Sequence, residues 1–328
     1  MILAGDIGGT SARLGLFDAN GAGPRLAVEQ TYASREHPGL DEIVTAFVAA
    51  HKAPIQHACF GIAGPVLHGR VEAPNLAWVV DARTLARELA LPAVTLLNDL
   101  EANAYGIAAL GPEDFVVLNA GTPQAKGNAA VISAGTGLGE AGLYWDGQRH
   151  HPFACEGGHA DFAPRNALEA ELLVFLGSTG ERVSYERVLS GPGLHRIYEF
   201  LRDSGRGQEP AALAEALRQS DPAAVISRNG LEGRYELCVQ ALELFASFYG
   251  AEAGNLALKM MATGGVYLGG GIAPKILAKL KGPAFLQAFT AKGRMRPLLE
   301  AMPVRVIMNE MTALLGAARC AAPLSSVA

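Results

Sequence analysis

Along the sequence, no two cysteines of this chain stand near one another. The four thiols, Cys59, Cys155, Cys238 and Cys320, make no C-x-x-C pair and share no zinc-type spacing with histidine. That argues against a metal-stapled or disulfide-framed fold and for buried, reduced thiols in a cytoplasm. Runs of Lys and Arg are equally absent, and the formal net charge is −5, which removes the electrostatic footing of a nucleic-acid surface or an anionic membrane face. The conspicuous apolar stretches are cut by Gly or Pro, and residues 1–4 (MILA) hold no charged side chain, so neither a membrane span nor a signal peptide is supported. A Walker A string, G-x-x-x-x-G-K-[ST], occurs nowhere; a nucleotide would have to be held in another way.

What is plentiful is glycine. The chain has 39, above the average usage of roughly 7%, clustered at 5–9, at 135–142, at Gly157 and Gly158, and at 264–271. Turns close to ligands account for such clustering. Half of the 328 residues are hydrophobic and 18% are charged, an enzyme-like globular composition. The length exceeds the usual size of one core, so two domains are expected.

The chain is organised around residues 3–17, LAGDIGGTSARLGLF, read as strand, glycine turn, strand. Gly8 and Gly9 suit a turn that needs positive φ or close backbone approach, with N–H groups open to an anion, a hydroxyl at Thr10 and a carboxylate at Asp6. Taken alone, an ordinary hairpin with a polar turn is the simpler reading. Residues 131–142, VISAGTGLGEAG, repeat the pattern with Thr136 inside the turn, and two such hairpins could face one polyphosphate.

In order along the chain, periodicity and breaker residues predict a turn at 18–21, a third strand at 26–34 and a helix at 39–51. A strand at 58–62, a hairpin arm at 69–76 and a helix at 82–90 capped by Asp81 follow. A strand at 94–97 turns at Asn98-Asp99 into a helix at 100–110. The second half restarts with a strand at 115–118, passes the echo hairpin and offers a strand at 262–268, which suggests a duplicated architecture. Helices are expected at 167–176, 185–189, 193–201, 234–261 and 311–320. Residues 202–210, RDSGRGQEP, read as a mobile connection without chemistry.

Residues 137–142 fit G-x-G-x-x-G, but a dinucleotide turn opens a helix, and here LYWDGQ follows, which reads as strand and turn. Phosphate held in the turns of facing β-hairpins is the remaining option. The ordered set GDIGGTSARLGLF, LLNDLEANAYGI, ISAGTGLG, EGGHADFAP, RVSYERVLSGPGL and GGVYLGGGIAPK resembles the bacterial glucokinase family of the hexokinase/actin-like superfamily. It covers essentially the whole chain.

That resemblance implies an α/β, two-lobed actin-like (ribonuclease H-like) fold with a duplicated βββαβα core. Residues 1–109 would form a small domain completed by a C-terminal helix at 310–321, residues 110–309 a larger one, and 322–328 a tail. It implies ATP-dependent phosphorylation of glucose at its 6-hydroxyl in a cytoplasmic homodimer whose cleft closes over the sugar. Phosphoryl transfer needs a base, Mg²⁺ and in-line positioning. By resemblance the base is Asp99, although Asn98 with Glu101 three residues on also satisfies a capping box. Asn98, Asp99, Glu156, His159 and Glu186 match the sugar-binding positions; for Glu186 alone, a surface ion pair to Arg182 or Arg187 is the plainer reading. Gly5, Asp6, Ile7, Gly8, Gly9 and Thr10, then Gly135, Thr136 and Gly137, then Gly270 and Gly271, match the ATP positions, with Asp6 on Mg²⁺ through water. Glu156-Gly-Gly-His159 is expected to be a loop. Two residues depart from the family pattern: Ser11 replaces a common Asn, and Glu140 replaces a smaller residue. Beside a polyphosphate Glu140 would repel, so it is expected to point outward. A kinase for another hexose (mannose, fructose or an N-acetylated amino sugar) and a non-catalytic sugar-sensing regulator are the alternatives.

Overall fold

A computed structural model describes residues 1–20, 23–73 and 76–322. Its contacts divide the chain into two compact units. One comprises residues 1–114, 151–154 and 309–328, and the other 115–150 and 155–308.

The first unit is built on β1 (Ile2–Ile7), β2 (Ser11–Asn20) and β3 (Gly23–Ala33), an antiparallel meander. It continues with α1 (Leu40–His51), β4 (His57–Ile62), β5 (Arg70–Glu72), β6 (Val79–Asp81), α2 (Ala82–Glu88), β7 (Thr95–Asn98) and α3 (Asp99–Ile107). The sheet order is β3-β2-β1-β4-β7, with β4 parallel to both β1 and β7, while β5 and β6 pair separately. Strand β1 is apolar on both faces because both are covered. Leu3 and Ile7 pack with Ile43, Val44 and Phe47 of α1, while Ile2 and Ala4 pack with the C-terminal helix α13 (Thr312–Ala321) through Ala313, Leu314 and Ala317.

The second unit contains β8 (Phe115–Asn119), β9 (Ala129–Ala134), β10 (Leu138–Trp145) and the two end residues of β11 (His150–Cys155), whose residues 151–154 group with the first unit, then α4 (Ala167–Leu176), α5 (Gly191–Asp203), α6 (Ala211–Gln219), α7 (Pro222–Leu231) and α8 (Glu236–Met260). After them come β12 (Gly265–Gly269), α9 (Ile272–Lys275), α10 (Leu277–Leu280), α11 (Pro283–Thr290), α12 (Arg296–Glu300) and β13 (Val304–Ile307). Its sheet runs β11-β10-β9-β12-β13-β8. Apart from β8, this repeats the plan of the first sheet: three meander strands, then two parallel ones. The α/β, actin-like duplicated core is therefore present, but β8 does not begin the repeat. It is an added edge strand, antiparallel to β13.

Several expectations need correction. Strand pairing continues through Asp18 and Asn20, so no turn starts at 18; Gly21 of that expected turn lies outside the described residues. Likewise Pro74 and Asn75 of the expected 69–76 arm, and 323–328 of the expected tail, lie outside them. The helix expected at 185–189 is a single 3-10 turn, Tyr185–Arg187. The segment 202–210 is not a loose connection. Arg202 pairs with Glu209 at 3.5 Å, Tyr198 Oη donates to Glu209 Oε2 at 2.7 Å, and the Arg206 guanidinium stacks over Phe200 while pairing with Glu171. Glycine and polar residues lowered the local helical signal, but the charges close onto each other and onto a buried aromatic surface.

Candidate active site

In the first unit the candidate residues collect at the C-terminal ends of parallel strands, where α/β sheets present their functional groups. Asp6 is near the end of β1, and Asp99 is the first residue of α3, directly after β7. Gly61 of β4 lies between them, in register with Asp6 on one side and Leu97 on the other. A Cβ at Gly61 would stand 2.6 Å from the Ala102 Cβ, so glycine there lets α3 settle against the sheet. The result is two carboxylates in each other's field. Burial first, and then the charge of Asp99, push the Asp6 carboxyl up to about 6, with Arg13 opposing.

Asn98 caps α3. Its Oδ1 accepts from the amides of Leu100 at 2.9 Å and Glu101 at 3.4 Å, and Glu101 accepts back from the Asn98 amide, completing the capping box. Its Nδ2 donates to the Gly64 carbonyl at 3.1 Å. The cap therefore belongs to Asn98, while Asp99 Oδ1 accepts from the next amide, Leu100, at 3.0 Å. At the first turn, Gly5 and Ile7 sit within β1, and the Ile7 side chain is in the core. Neither Gly8 nor Gly9 has positive φ. The Gly8 amide is not open to an anion, because it donates to Ser11 O at 2.9 Å and so closes the turn. Gly9 and the exposed Thr10 are left to form its outer surface. Buried Ser34 holds the turn from behind, its Oγ donating to Gly8 O at 2.8 Å and its amide to Thr10 O at 3.0 Å.

In the second unit the echo turn is built likewise. The Gly135 amide donates to Gly137 O at 2.9 Å, Thr136 is exposed, and the amide of Gly191, the first residue of α5, donates to Gly135 O at 2.8 Å. A long helix thus begins at the turn, with the positive end of its dipole there. Gly270 and Gly271 follow β12, which pairs with β9 through Gly269 and Ser133, so this third glycine turn adjoins the second. The buried Tyr249 hydroxyl links them, within 3.3 Å of Ala134 N and 3.4 Å of Gly269 O.

Glu156, His159 and Glu186 come together in this unit. Residues Gly157–His159 form one 3-10 turn where a loop was expected. His159 Nε2 lies 3.9 Å from Glu156 Oε2, and its Nδ1 lies 3.9 Å from Glu186 Oε1. The surface-pair reading of Glu186 fails: Arg182 pairs with Asp161 and Arg187 with Glu181. Glu186 Oε2 instead accepts from the Leu138 amide at 2.9 Å, which ties this carboxylate to the end of the glycine turn. The expectation for Glu140 is overturned. It is 1% exposed, inside the unit, facing Glu252 of α8. It shares the inward parity of Leu138 on β10, and that alternation was the sequence signal for its burial. Ser34, Gly61, Tyr249 and Glu252 were also missed; they support the turns from distant parts of the chain and carry no local motif.

Among the described residues, no group of three or more His, Cys, Asp or Glu could hold a metal. The paired Asp6 and Asp99 carboxylates suit Mg²⁺, which keeps several waters and is held by one or two carboxylates and substrate phosphates. No helix of the described residues is long and apolar enough to cross a membrane.

A family model described as Glucokinase matches residues 3–324. A glucokinase of Nostoc sp. is 44% identical over 340 residues, covering 99% of this chain and 99% of the relative. One of Psychromonas ingrahamii is 37% identical, covering 96% and 95%. Among solved structures, a glucokinase from an Antarctic psychrotroph superposes with a TM-score of 0.82 at 31% identity, covering 98% of each chain. A Balamuthia mandrillaris glucokinase in complex with glucose shares the fold at a TM-score of 0.77 and 21% identity, covering 98% of this chain and 93% of that one. Matched over nearly its whole length by the family model and by relatives up to 44% identical, the chain belongs to the glucokinase family.

Proposed function

We infer that Asp99 is the general base of the reaction this enzyme runs, the transfer of a phosphoryl group from ATP to the 6-hydroxyl of D-glucose. The observation that carries the assignment is its place: first residue of α3, at the positive end of that helix, beside a second carboxylate at Asp6. The helix dipole favours the ionised carboxylate that must accept the hydroxyl proton. In this reading Asn98 contributes to the sugar site the Nδ2 hydrogen that its bond to Gly64 O does not use. Glu156, His159 and Glu186 hold the remaining sugar hydroxyls, the first two from an exposed turn and the third from a pinned position.

The turns at Gly8–Thr10 and Gly135–Gly137 hold phosphates through the amides beyond the two that close them and through the Thr10 and Thr136 hydroxyls, and Gly270–Gly271 borders the adenosine. Asp6 would hold Mg²⁺ through water; when bound, the ion neutralises phosphate charge. The same reading makes the enzyme a cytoplasmic homodimer joined through the second unit. A coupled assay of ADP release across glucose, mannose, fructose and N-acetylglucosamine tests the assignment. The expected result is a kcat/KM for glucose above that for every other sugar, and a higher value for another hexose would overturn it.

A further inference from the structure

The inward-facing Glu140 is not used by the reaction as described, yet it sits directly beneath the residues assigned to the sugar. A Cβ on Gly157 would land on the Glu140 carboxylate, so Glu140 occupies the space under the backbone of the Glu156–His159 turn. Its partner Glu252, fully buried on α8, reaches the other sugar-side segment. Asn255 Nδ2 donates both to Glu252 Oε2 at 2.8 Å and to the hydroxyl of Tyr185 at 3.0 Å, and Tyr185 immediately precedes Glu186 in the same 3-10 turn. One carboxyl thus supports Glu156 and His159, the other supports Glu186, and the two carboxyls face each other.

We propose that Glu140 and Glu252 share a single proton and act together as positioning residues for the sugar-contacting turns, so that loss of this proton loosens the grip on glucose. Each carboxyl has an oxygen, Oε1, that is buried without a hydrogen-bond partner. Two ionised carboxylates there would repel at close range in a low-dielectric site, whereas one shared proton gives the pair a hydrogen bond and a single charge. Two cations act on the Glu252 side of the pair, and burial pushes the Lys292 ammonium down to about 8. Lys259 Nζ stands 3.7 Å from Glu252 Oε1, and Lys292 is engaged by Ala251 O and Asn255. The other titratable groups facing the pair are Tyr185, Tyr249 and Cys155. Tyr185, Tyr249 and Cys155 are held in their neutral forms by burial, which pushes all three upward. In keeping with this, burial and then the charge of Glu252 push the Glu140 carboxyl up to about 8.

The inference rests on the reading of Glu156 and His159 as sugar contacts, and the experiment separates the two. Initial rates at saturating ATP and Mg²⁺ are followed from pH 6.5 to 9.5 in the wild type, Glu140→Gln, Glu252→Gln and Glu156→Ala. In the wild type the KM for glucose should rise at least about threefold between pH 7 and 9 while the KM for ATP stays level. Glu140→Gln keeps the shape and a donor for Glu252 but has no proton to lose, so its glucose KM should lack that alkaline rise. An unchanged alkaline rise in Glu140→Gln overturns the proposal. Glu156→Ala should raise the glucose KM already at pH 7; if it does not, the sugar-contact reading itself fails, whatever Glu140 does. Should both Gln variants fail to fold, infrared spectra of the wild type decide: a protonated-carboxyl C=O band at pH 7 that fades as the pH passes through 8 is expected, and its absence refutes the shared proton.

Discussion

At the scale of single residues, the proposed catalytic edge of the first unit rests on two neighbouring carboxylates, Asp6 and Asp99, to which different roles are assigned. Replacing Asp99 by Asn removes the proton acceptor but keeps a side chain able to accept from Leu100. The expected outcome is a kcat lowered by about 10²–10⁴-fold, with glucose affinity, read by calorimetry, within about threefold of the wild type. Asp6 makes the opposite prediction for stability. Its carboxyl is raised to about 6 by burial and by Asp99, so its contribution is fully present below the ordinary carboxylate range and is lost as pH rises through 6. In magnesium-free buffer, Asp6→Asn should therefore be more stable than the wild type at pH 8, by up to about 3 kcal/mol. The gap should shrink toward pH 5 in denaturant melts, and turnover should fall. The candidate site was legible where its residues are contiguous, as in GDIGGT, ND and EGGH. It was not legible where one side chain works against a distant segment: Ser34 behind the Gly8 turn, or Glu252 opposite Glu140.

At the scale of elements, Asp99 is placed by helix against helix. Helices α3 and α13 cross with their backbones in close contact. A Cβ on Gly106 would meet Thr312 O, and one on Gly316 would meet Ala102 O. Gly316→Ala should force the helices apart and cost about 1–3 kcal/mol, seen as a lowered thermal midpoint. Because α3 begins with Asp99, kcat should drop with it while the KM for ATP changes less. The amphipathic pattern of α1, the long, largely apolar stretch of α8 and the glycine turns of both hairpins made these elements readable from sequence, with ends shifted by a few residues. The edge strand β8 and the four-residue helices α9 and α10 were not readable in their true roles. Short segments carry too few periods to distinguish helix from strand, and which strand lies beside β13 is decided by tertiary pairing alone.

At the scale of the molecule, the assignment to a homodimer is tested by sedimentation equilibrium, where two 34.2 kDa chains should travel together at micromolar concentration. Glucose should raise the thermal midpoint of the whole enzyme, since a ligand at 100 times its Kd adds about 2.7 kcal/mol to the folded state. The first unit is also discontinuous along the chain. Its sheet is complete at Asn98, yet the helix that covers Ile2, Ala4 and Phe17 begins only at Thr312. At ribosomal speeds of roughly 5–20 residues per second, that sheet face waits about 10–40 seconds for its cover. The newborn chain therefore presents an apolar surface throughout the synthesis of the second unit. That makes it a natural client for a holding chaperone, and a stretch of slow translation between the two would lengthen its risk of aggregation.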